Sequence, residues 1–255
     1  MNLCIVQARM GSSRLPGKVL REVNGKSILQ NVVDRLGPAS SIDTIVVATT
    51  TNAEDDVLDA FCKDHNIACY RGSDWDVLDR FYKCAQEHGL TKNDVVIRIC
   101  CDNPIHSFKV VDFVVAEFDK LGVDYFSNSN RDPEYLEDGF DVEVVKFEAL
   151  SIAWKEAKLH SEREHVMPYI KNSGRFTLGW RKAHQDYTFK LSVDTENDLE
   201  VARTIFHRLQ KSPDFSIDEV VNLLRDEPEI LAINSESKIN SGYEKSLRED
   251  RRIDQ

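Results

Sequence analysis

A continuous apolar run, Leu3-Cys4-Ile5-Val6, leads straight into QARMGSSRLPGKVL (Gln7 to Leu20), and this junction most limits what the chain can become. Four apolar residues without polar alternation predict a strand buried on both faces, the habit of parallel sheets covered by helices. A chain leaving such a strand emerges at the carboxyl edge of the sheet, where open α/β sheets take their ligands. The residues at that edge suit an anion. Gly11, Ser12 and Ser13 offer bare N–H groups and small hydroxyls, Gly17 permits a tight turn, and Arg9, Arg14 and Lys18 add three cations.

The charge distribution supports a phosphate-binding loop. The chain carries −11 overall, yet residues 1–26 hold five basic side chains (Arg9, Arg14, Lys18, Arg21, Lys26) against the single acid Glu22. A basic island in an acidic protein suits a polyphosphate and argues against nucleic acid, which needs a broad basic face. A polar surface loop with solvated charges is the plainer alternative. Two familiar phosphate loops are excluded. Five residues rather than four separate Gly11 from Gly17, and Val19 follows Lys18 where a P-loop needs Ser or Thr. The GxGxxG fingerprint is also absent.

At 255 residues the chain is long enough for one large α/β domain with a full core. No apolar run nears the ~18 residues of a membrane span. The opening strand shows no leader pattern, which predicts a cytoplasmic protein. Six cysteines lie scattered, mostly in apolar runs, with no CxxC pair, and read as reduced, buried thiols.

The rhythm continues downstream. Ser27 caps a helix carrying Ile28, Leu29, Val32, Val33 and Leu36, and Thr44 to Ala48 is a second buried strand ending in Thr49, Thr50, Thr51 and Asn52. Those hydroxyl and amide groups suit a base or ribose, or else a plain helix cap. Helices through Val57–Cys62, Val77–Ala85 and Phe108–Phe118 alternate with strands at Ala68–Tyr70 and Val95–Cys100. This predicts right-handed βαβ units in a mostly parallel, three-layer sheet of Rossmann-like type.

Further strands are expected at Tyr125–Ser127 and Phe140–Val145, after a polar loop containing Pro133, and as a pair at Phe176–Lys182 and Phe189–Ser192. Helices are expected at Phe147–Ala157, at Ser161–Ile170 with a Ser161/Glu164 capping box, at Leu199–Leu209 behind Thr195 and Asp198, and after Ser216. The domain is read as residues 1–231, with 232–255 a polar tail, disordered or laid on a partner subunit.

Asp102 and Asp194 each stand just past a predicted strand. At the ligand edge two carboxylates can share a hard cation such as magnesium, completed by phosphate oxygens on the basic loop, although an Asp there is commonly a helix cap.

QARMGSSRLPGKVL, RICCDNPI, DVEVV, SEREHVMPYI and SVDTENDLE together resemble the cytidylyltransferases related to CMP-Kdo and CMP-sialic acid synthetases, from Met1 to about Leu231. The likeness is greatest to the spore coat polysaccharide biosynthesis protein F branch. The resemblance implies a nucleotide-diphospho-sugar transferase fold of glycosyltransferase-A type that binds CTP and Mg2+ and transfers CMP to a sugar acid, releasing pyrophosphate, in cell-surface polysaccharide synthesis. It implies a homodimer, with an acceptor and dimerisation region at about 124–190. It assigns Ala8, Arg9, Gly11, Ser12, Ser13, Lys18, Thr49, Thr51, Asn52 and Cys100 to the nucleotide, with Arg14, Lys18 and Asp102 catalytic. Asp102 and Asp194 fall to the metal, and Glu143, Arg163, Glu164 and His165 to the acceptor.

Where that branch carries Thr-Gly-Asp-Cys-Pro, this chain has Cys100, Cys101, Asp102, Asn103 and Pro104, and Cys101 in place of Gly predicts crowding beside the nucleotide. Two alternatives remain: another nucleotide (GTP or UTP) or a phosphorylated acceptor such as a sugar phosphate or phosphonate, and a non-catalytic nucleotide-binding protein.

Overall fold

The computed structural model describes residues 1–129, 136–212, 214–237 and 241–253. The first apolar run is β1 (Asn2–Gln7), with Leu3 to Val6 fully buried. The loop after it ends in a single 3-10 turn, and a small hairpin of β2 (Glu22–Val23) and β3 (Lys26–Ser27) leads to α1 (Ile28–Leu36). Next are β4 (Thr44–Thr50), α2 (Asp56–Asp64), β5 (Ala68–Gly72), α3 (Val77–Glu87), β6 (Val95–Cys100) and α4 (Phe108–Leu121). Then come β7 (Tyr125–Ser127), β8 (Glu143–Lys146), α5 (Phe147–Glu156), α6 (His160–His165), α7 (Pro168–Asn172) and β9 (Leu178–Trp180). The chain continues through α8 (Glu196–Arg208), α9 (Ile217–Asp226), α10 (Glu229–Ala232) and α11 (Ser241–Arg248).

Seven strands form one sheet in the order β5-β4-β1-β6-β8-β7-β9. The four βα strands β5, β4, β1 and β6 run parallel, β8 is antiparallel to both β6 and β7, and β9 is parallel to β7. Alternate residues of β1 feed opposite layers: Leu3 and Ile5 pack with Phe81 of α3 and Leu150 of α5, while Cys4 and Val6 pack with Leu29 of α1 and Val111 of α4. The result is the expected three-layer, mostly parallel sheet flanked by helices. No helix among the described residues is long and apolar enough to cross a membrane.

The topology itself selects the ligand edge. From β1 the chain crosses to β4 on one side, and later returns to β6 on the other, so the loops leaving β1 and β6 diverge and open a crevice between them. Gln7 lies level with Cys100 in the register, which brings the basic loop beside Cys101 and Asp102.

Several local expectations need correction. The 189–192 segment is not a strand and does not pair with β9. Leu191 and Ser192 instead donate their N–H groups to Asp138 Oδ1 (2.8 and 2.6 Å), so those groups are unavailable to a ladder. Gly139 (φ 97°) allows that approach, since a Cβ there would stand 2.8 Å from Leu191 Cβ. β8 begins at Glu143, although Phe140 and Val142 are buried as expected. The helix expected at 161–170 is two helices, and its capping acid is Glu162, whose carboxylate accepts from Lys158 and Leu159 N–H (both 2.9 Å). Ser161 is committed elsewhere, to Asp250. Residues 241–253 are not a loose tail: α11 packs on α6 and Leu159 forms a β-bridge to Arg252. Pro133 lies outside the described residues.

Candidate active site

The basic loop is shaped from its own backbone. Met10 O accepts the N–H groups of both Ser12 (2.8 Å) and Gly17 (3.0 Å), closing the intervening residues into a tight lobe, while Met10 N–H is held by Asp55 Oδ1 (2.7 Å). Gly17 turns through the left-handed region (φ 67°), and Leu15 plugs the lobe into the core. Among the described residues the N–H groups of Gly11 and Ser13 have no protein partner, the state expected of a cradle for anionic oxygens.

The loop cations meet acids brought from distant parts of the chain. Lys18 Nζ lies 2.9 Å from Asp102 Oδ2, 3.0 Å from Asp194 Oδ1 and 2.8 Å from Val193 O. Arg14 reaches Asp194 Oδ1 at 2.8 Å, and Arg9 reaches Asp74 Oδ1 at 3.0 Å. Val193 N–H donates to Asp102 O (2.8 Å), fastening the two acidic segments together. Burial opposes the charge on Lys18, but Asp102 and Asp194 outweigh it and hold the ammonium above its ordinary pKa. Burial likewise pushes the Asp102 carboxyl up, and Lys18 more than reverses this, leaving it below the usual range and ionised.

Neither acid is a helix cap. Thr195 caps α8, and Asp198 closes the box by accepting from Thr195 N–H (2.9 Å) and Asp194 N–H (3.1 Å), so the Asp194 carboxylate is left to face the crevice.

Two hard carboxylates that already share one cation match the donor set of magnesium, which commonly takes one or two carboxylates and completes its shell with phosphate and water. Among the described residues no cluster of three or more potential ligands exists, so phosphate oxygens would have to supply the rest.

Two cavities meet at this junction. The larger, of about 900 Å3, is lined by Ala8, Arg9, Gly11, Ser12, Ser13 and Lys18, and also by Glu164, by Lys245 and Ser246 of α11 and by Arg251 after it. The smaller, of about 280 Å3, is lined by Glu143, His165, Lys171 and Asp141. Arg14, Cys100, Asp102 and Asp194 line both.

Thr49, Thr51 and Asn52 line neither cavity. Thr49 is fully buried, and Asn52 points to solvent and gives its carbonyl to Arg71. Arg163 is also elsewhere: its guanidinium forks onto the buried Asp76 carboxylate at 2.5 and 3.0 Å, tying α6 to the cap of α3. Cys101 lines the larger cavity beside Asp102 while most of its side chain packs into the core, and burial raises its thiol pKa well above the ordinary value and keeps it protonated.

In the smaller cavity Glu143 is held by Arg98, by Lys171 Nζ (3.1 Å) and by the Tyr125 hydroxyl (2.7 Å). Burial raises its pKa, but Lys171 and Arg98 prevail and bring it down to about 2. Asp141 moves the other way, held well above its usual range by burial and by Asp138 and Asp102. His165 Nε2 lies 2.9 Å from Ser246 Oγ, and the turn beyond it is strained: Met167 N–H donates to His165 O (2.8 Å) around Val166 at φ 69°, ψ −57°. A β-branched residue there is a genuine outlier, and such strain gathers at working sites.

Sequence reasoning passes over Lys171, Asp138 and the cavity-facing residues of α11. Lys171 stands beside the SEREHVMPYI motif, six residues past His165, and is the findable one. The polar composition of the last residues conceals the others.

A family model described as cytidylyltransferase matches residues 3–239. The chain belongs to the cytidylyltransferase family. This cytidylyltransferase is 35% identical to an uncharacterized protein of Methanocaldococcus jannaschii over 96% of its own length and 97% of that protein. It is 33% identical to the spore coat polysaccharide biosynthesis protein SpsF of Bacillus subtilis, covering 89% of this chain and 95% of the relative. A solved cytidylyltransferase from Leptospira borgpetersenii serovar Hardjo-bovis superposes with a TM-score of 0.83 at 26% identity, over 93% of this cytidylyltransferase and 98% of that chain. A CMP:2-keto-3-deoxy-manno-octonic acid synthetase complexed with CTP shares the fold, with a TM-score of 0.59 at 16% identity over 81% and 98% of the two chains. The protein is a nucleotidyltransferase with the nucleotide-sugar transferase fold.

Proposed function

We propose that this enzyme transfers CMP from CTP to a sugar acid, releasing pyrophosphate, in the synthesis of a cell-surface polysaccharide. The observation that carries the reading is the junction of two cavities at Asp102, Asp194 and Arg14, with Lys18 bound to both acids. A transfer reaction needs two substrates to meet at one phosphorus, and these shared residues border both spaces. The larger cavity takes the nucleotide and the smaller takes the acceptor. There Arg98 and Lys171 stand on Glu143, two cations within reach of an acceptor carboxylate, with Asp102, Asp138, Asp141 and Asp194 on the other walls.

In this reading the free N–H groups of Gly11 and Ser13 hold phosphate oxygens, and Arg14 and Lys18 turn from their carboxylates toward charge that builds on the leaving pyrophosphate. Asp102 and Asp194 would hold Mg2+, which when bound neutralises phosphate charge and lowers the pKa of the attacking hydroxyl. The acceptor oxygen attacks the α-phosphorus in line, with His165 positioned to orient it or take its proton. Residues 124–190 supply the acceptor side and a homodimer contact, and the enzyme works in the cytoplasm, where it finds its CTP.

Pyrophosphate release measured with each of the four nucleoside triphosphates and a panel of sugar acids tests the proposal. Release with CTP and one sugar acid is expected; release with GTP alone overturns the cytidylyl assignment.

A further inference from the structure

Within residues 241–253, Lys245, Ser246, Glu249 and Arg251 line the larger cavity together with the phosphate loop, and they lie beyond the end of the family match at residue 239. This segment is tied down by contacts of its own. Arg251 O accepts from His160 N–H and Ile253 N–H donates to Lys158 O, both at 2.9 Å, flanking the Leu159–Arg252 bridge. Asp250 takes the N–H (3.0 Å) and hydroxyl (2.7 Å) of Ser161. The Ser246 hydroxyl sits between Glu164 Oε2 (2.6 Å) and His165 Nε2 (2.9 Å).

None of these contacts uses the side chains of Lys245 or Arg251. Both are exposed, both line the cavity, and among the described residues neither charged group has a hydrogen bond or ion pair. The other cations of the cavity are committed: Arg9 to Asp74, Arg14 to Asp194, and Lys18 to Asp102 and Asp194. Two further carboxylates line the cavity, Glu164, which Ser246 engages, and Glu249.

Because the acceptor approaches through the smaller cavity, the α-phosphate belongs at the shared residues and the two outer phosphates lie further into the larger one. Uncommitted cations lining the same cavity as the loop are the groups that can meet them without first giving up an acid. We propose that Lys245 and Arg251 bind the β- and γ-phosphates of the nucleotide, so that the C-terminal segment is one wall of the nucleotide site. The inference rests on the proposed division of the two cavities between nucleotide and acceptor, and the base rests on the cytidylyl reading.

The test is calorimetric titration of the full chain, in magnesium buffer, with CTP, inorganic pyrophosphate and CMP. The double variant Lys245→Ala, Arg251→Ala is expected to bind CTP and pyrophosphate more weakly by about tenfold or more, with CMP within about twofold of wild type. Unchanged affinity for CTP and pyrophosphate overturns the proposal. An equal loss for CMP also overturns it, because the segment would then act on the whole site rather than on the outer phosphates. Thermal unfolding reports whether the variant is folded, and if it is not, Lys245→Gln and Arg251→Gln taken singly allow the same comparison. Titrating wild type with UTP, GTP and ATP separates the two readings: a preference for one of these corrects the base, and the pyrophosphate comparison still decides the two cations. Wild type that binds no pyrophosphate overturns the proposal.

Discussion

Lys18 Nζ sits 2.9 Å from Asp102 Oδ2, across 84 residues of sequence, and Asp102 lines both cavities. The same ammonium takes Asp194 at 3.0 Å, so one cation holds together the acids on which the proposed metal depends. Replacing Asp102 by Asn leaves the Lys18–Asp194 pair and the Val193–Asp102 backbone bond to maintain the local fold. Turnover is expected to fall by about 100-fold or more, because a group acting on charge in the transition state is lost, while the melting temperature stays near that of wild type. Pyrophosphate release and thermal unfolding measure the two sides. Activity within a few-fold of wild type would remove Asp102 from the chemistry.

Glu143 makes a pH-dependent contribution whose sign is fixed by its partners. Lys171 and Arg98 lower its pKa from 4.5 to about 2 against the effect of burial. A carboxyl depressed on folding contributes stability that is fully present above its unfolded pKa and is lost as pH falls through the folded one. The window is therefore about pH 5 down to pH 2, and the contribution above it is on the order of 3 kcal/mol. The difference in melting temperature between wild type and Glu143→Gln should be large at pH 7 and shrink steadily below pH 5. A difference that stays constant from pH 7 to pH 4 would show that the ion pairs are not its source.

Arg163, expected at the acceptor, instead binds Asp76, with its side chain only 7% exposed. Removing one member of a buried, forked pair strands the other charge, which costs about 3–5 kcal/mol. Arg163→Ala should lower the denaturant midpoint strongly, and Arg163→Lys should restore little, because an ammonium cannot reproduce the two-nitrogen fork. An Arg163→Lys protein of wild-type stability but raised acceptor KM would return this residue to the acceptor site.

Legibility depends on what each residue answers to. The strands β1, β4 and β6 are readable because burial on both faces leaves an apolar run with no alternation to misinterpret. Caps are readable when both partners are local, as with Ser27 and Gln30 or Thr195 and Asp198. The same spacing misleads at Ser161, because Asp250 lies 89 residues away and claims its hydrogen bonds. Phe189 and Leu191 alternate like a strand, yet the Asp138 carboxylate takes the N–H groups a ladder would need. Residues 241–253 are docked by polar and backbone contacts and one edge-on ring contact of Tyr243 with His165, too little apolar surface to leave a hydrophobic period to read. In the site, the residues next to the ends of β1 and β6 are legible because topology places them there. Thr49 to Asn52 also stand at a strand end, but β4 lies on the far side of β1 from β6, and its end does not reach the cavity.

His165 separates two roles by the cavity each would affect. Its ring lines the smaller cavity, while its Nε2 lies 2.9 Å from the Ser246 hydroxyl, which also binds Glu164 on the larger one. The turn at Val166 directly after His165 has a positive φ, strain of about 1–3 kcal/mol of the kind that gathers at working sites. If His165 orients the acceptor or takes its proton, His165→Ala should reduce kcat by about 10- to 1000-fold and leave the affinity for CTP unchanged. If it only anchors α11, the loss should appear in CTP affinity, because the wall of the larger cavity loosens, with kcat at saturating CTP preserved. Titration with CTP and steady-state pyrophosphate release on one variant distinguish the two, and the position of the ring in the acceptor cavity makes the first outcome the expected one.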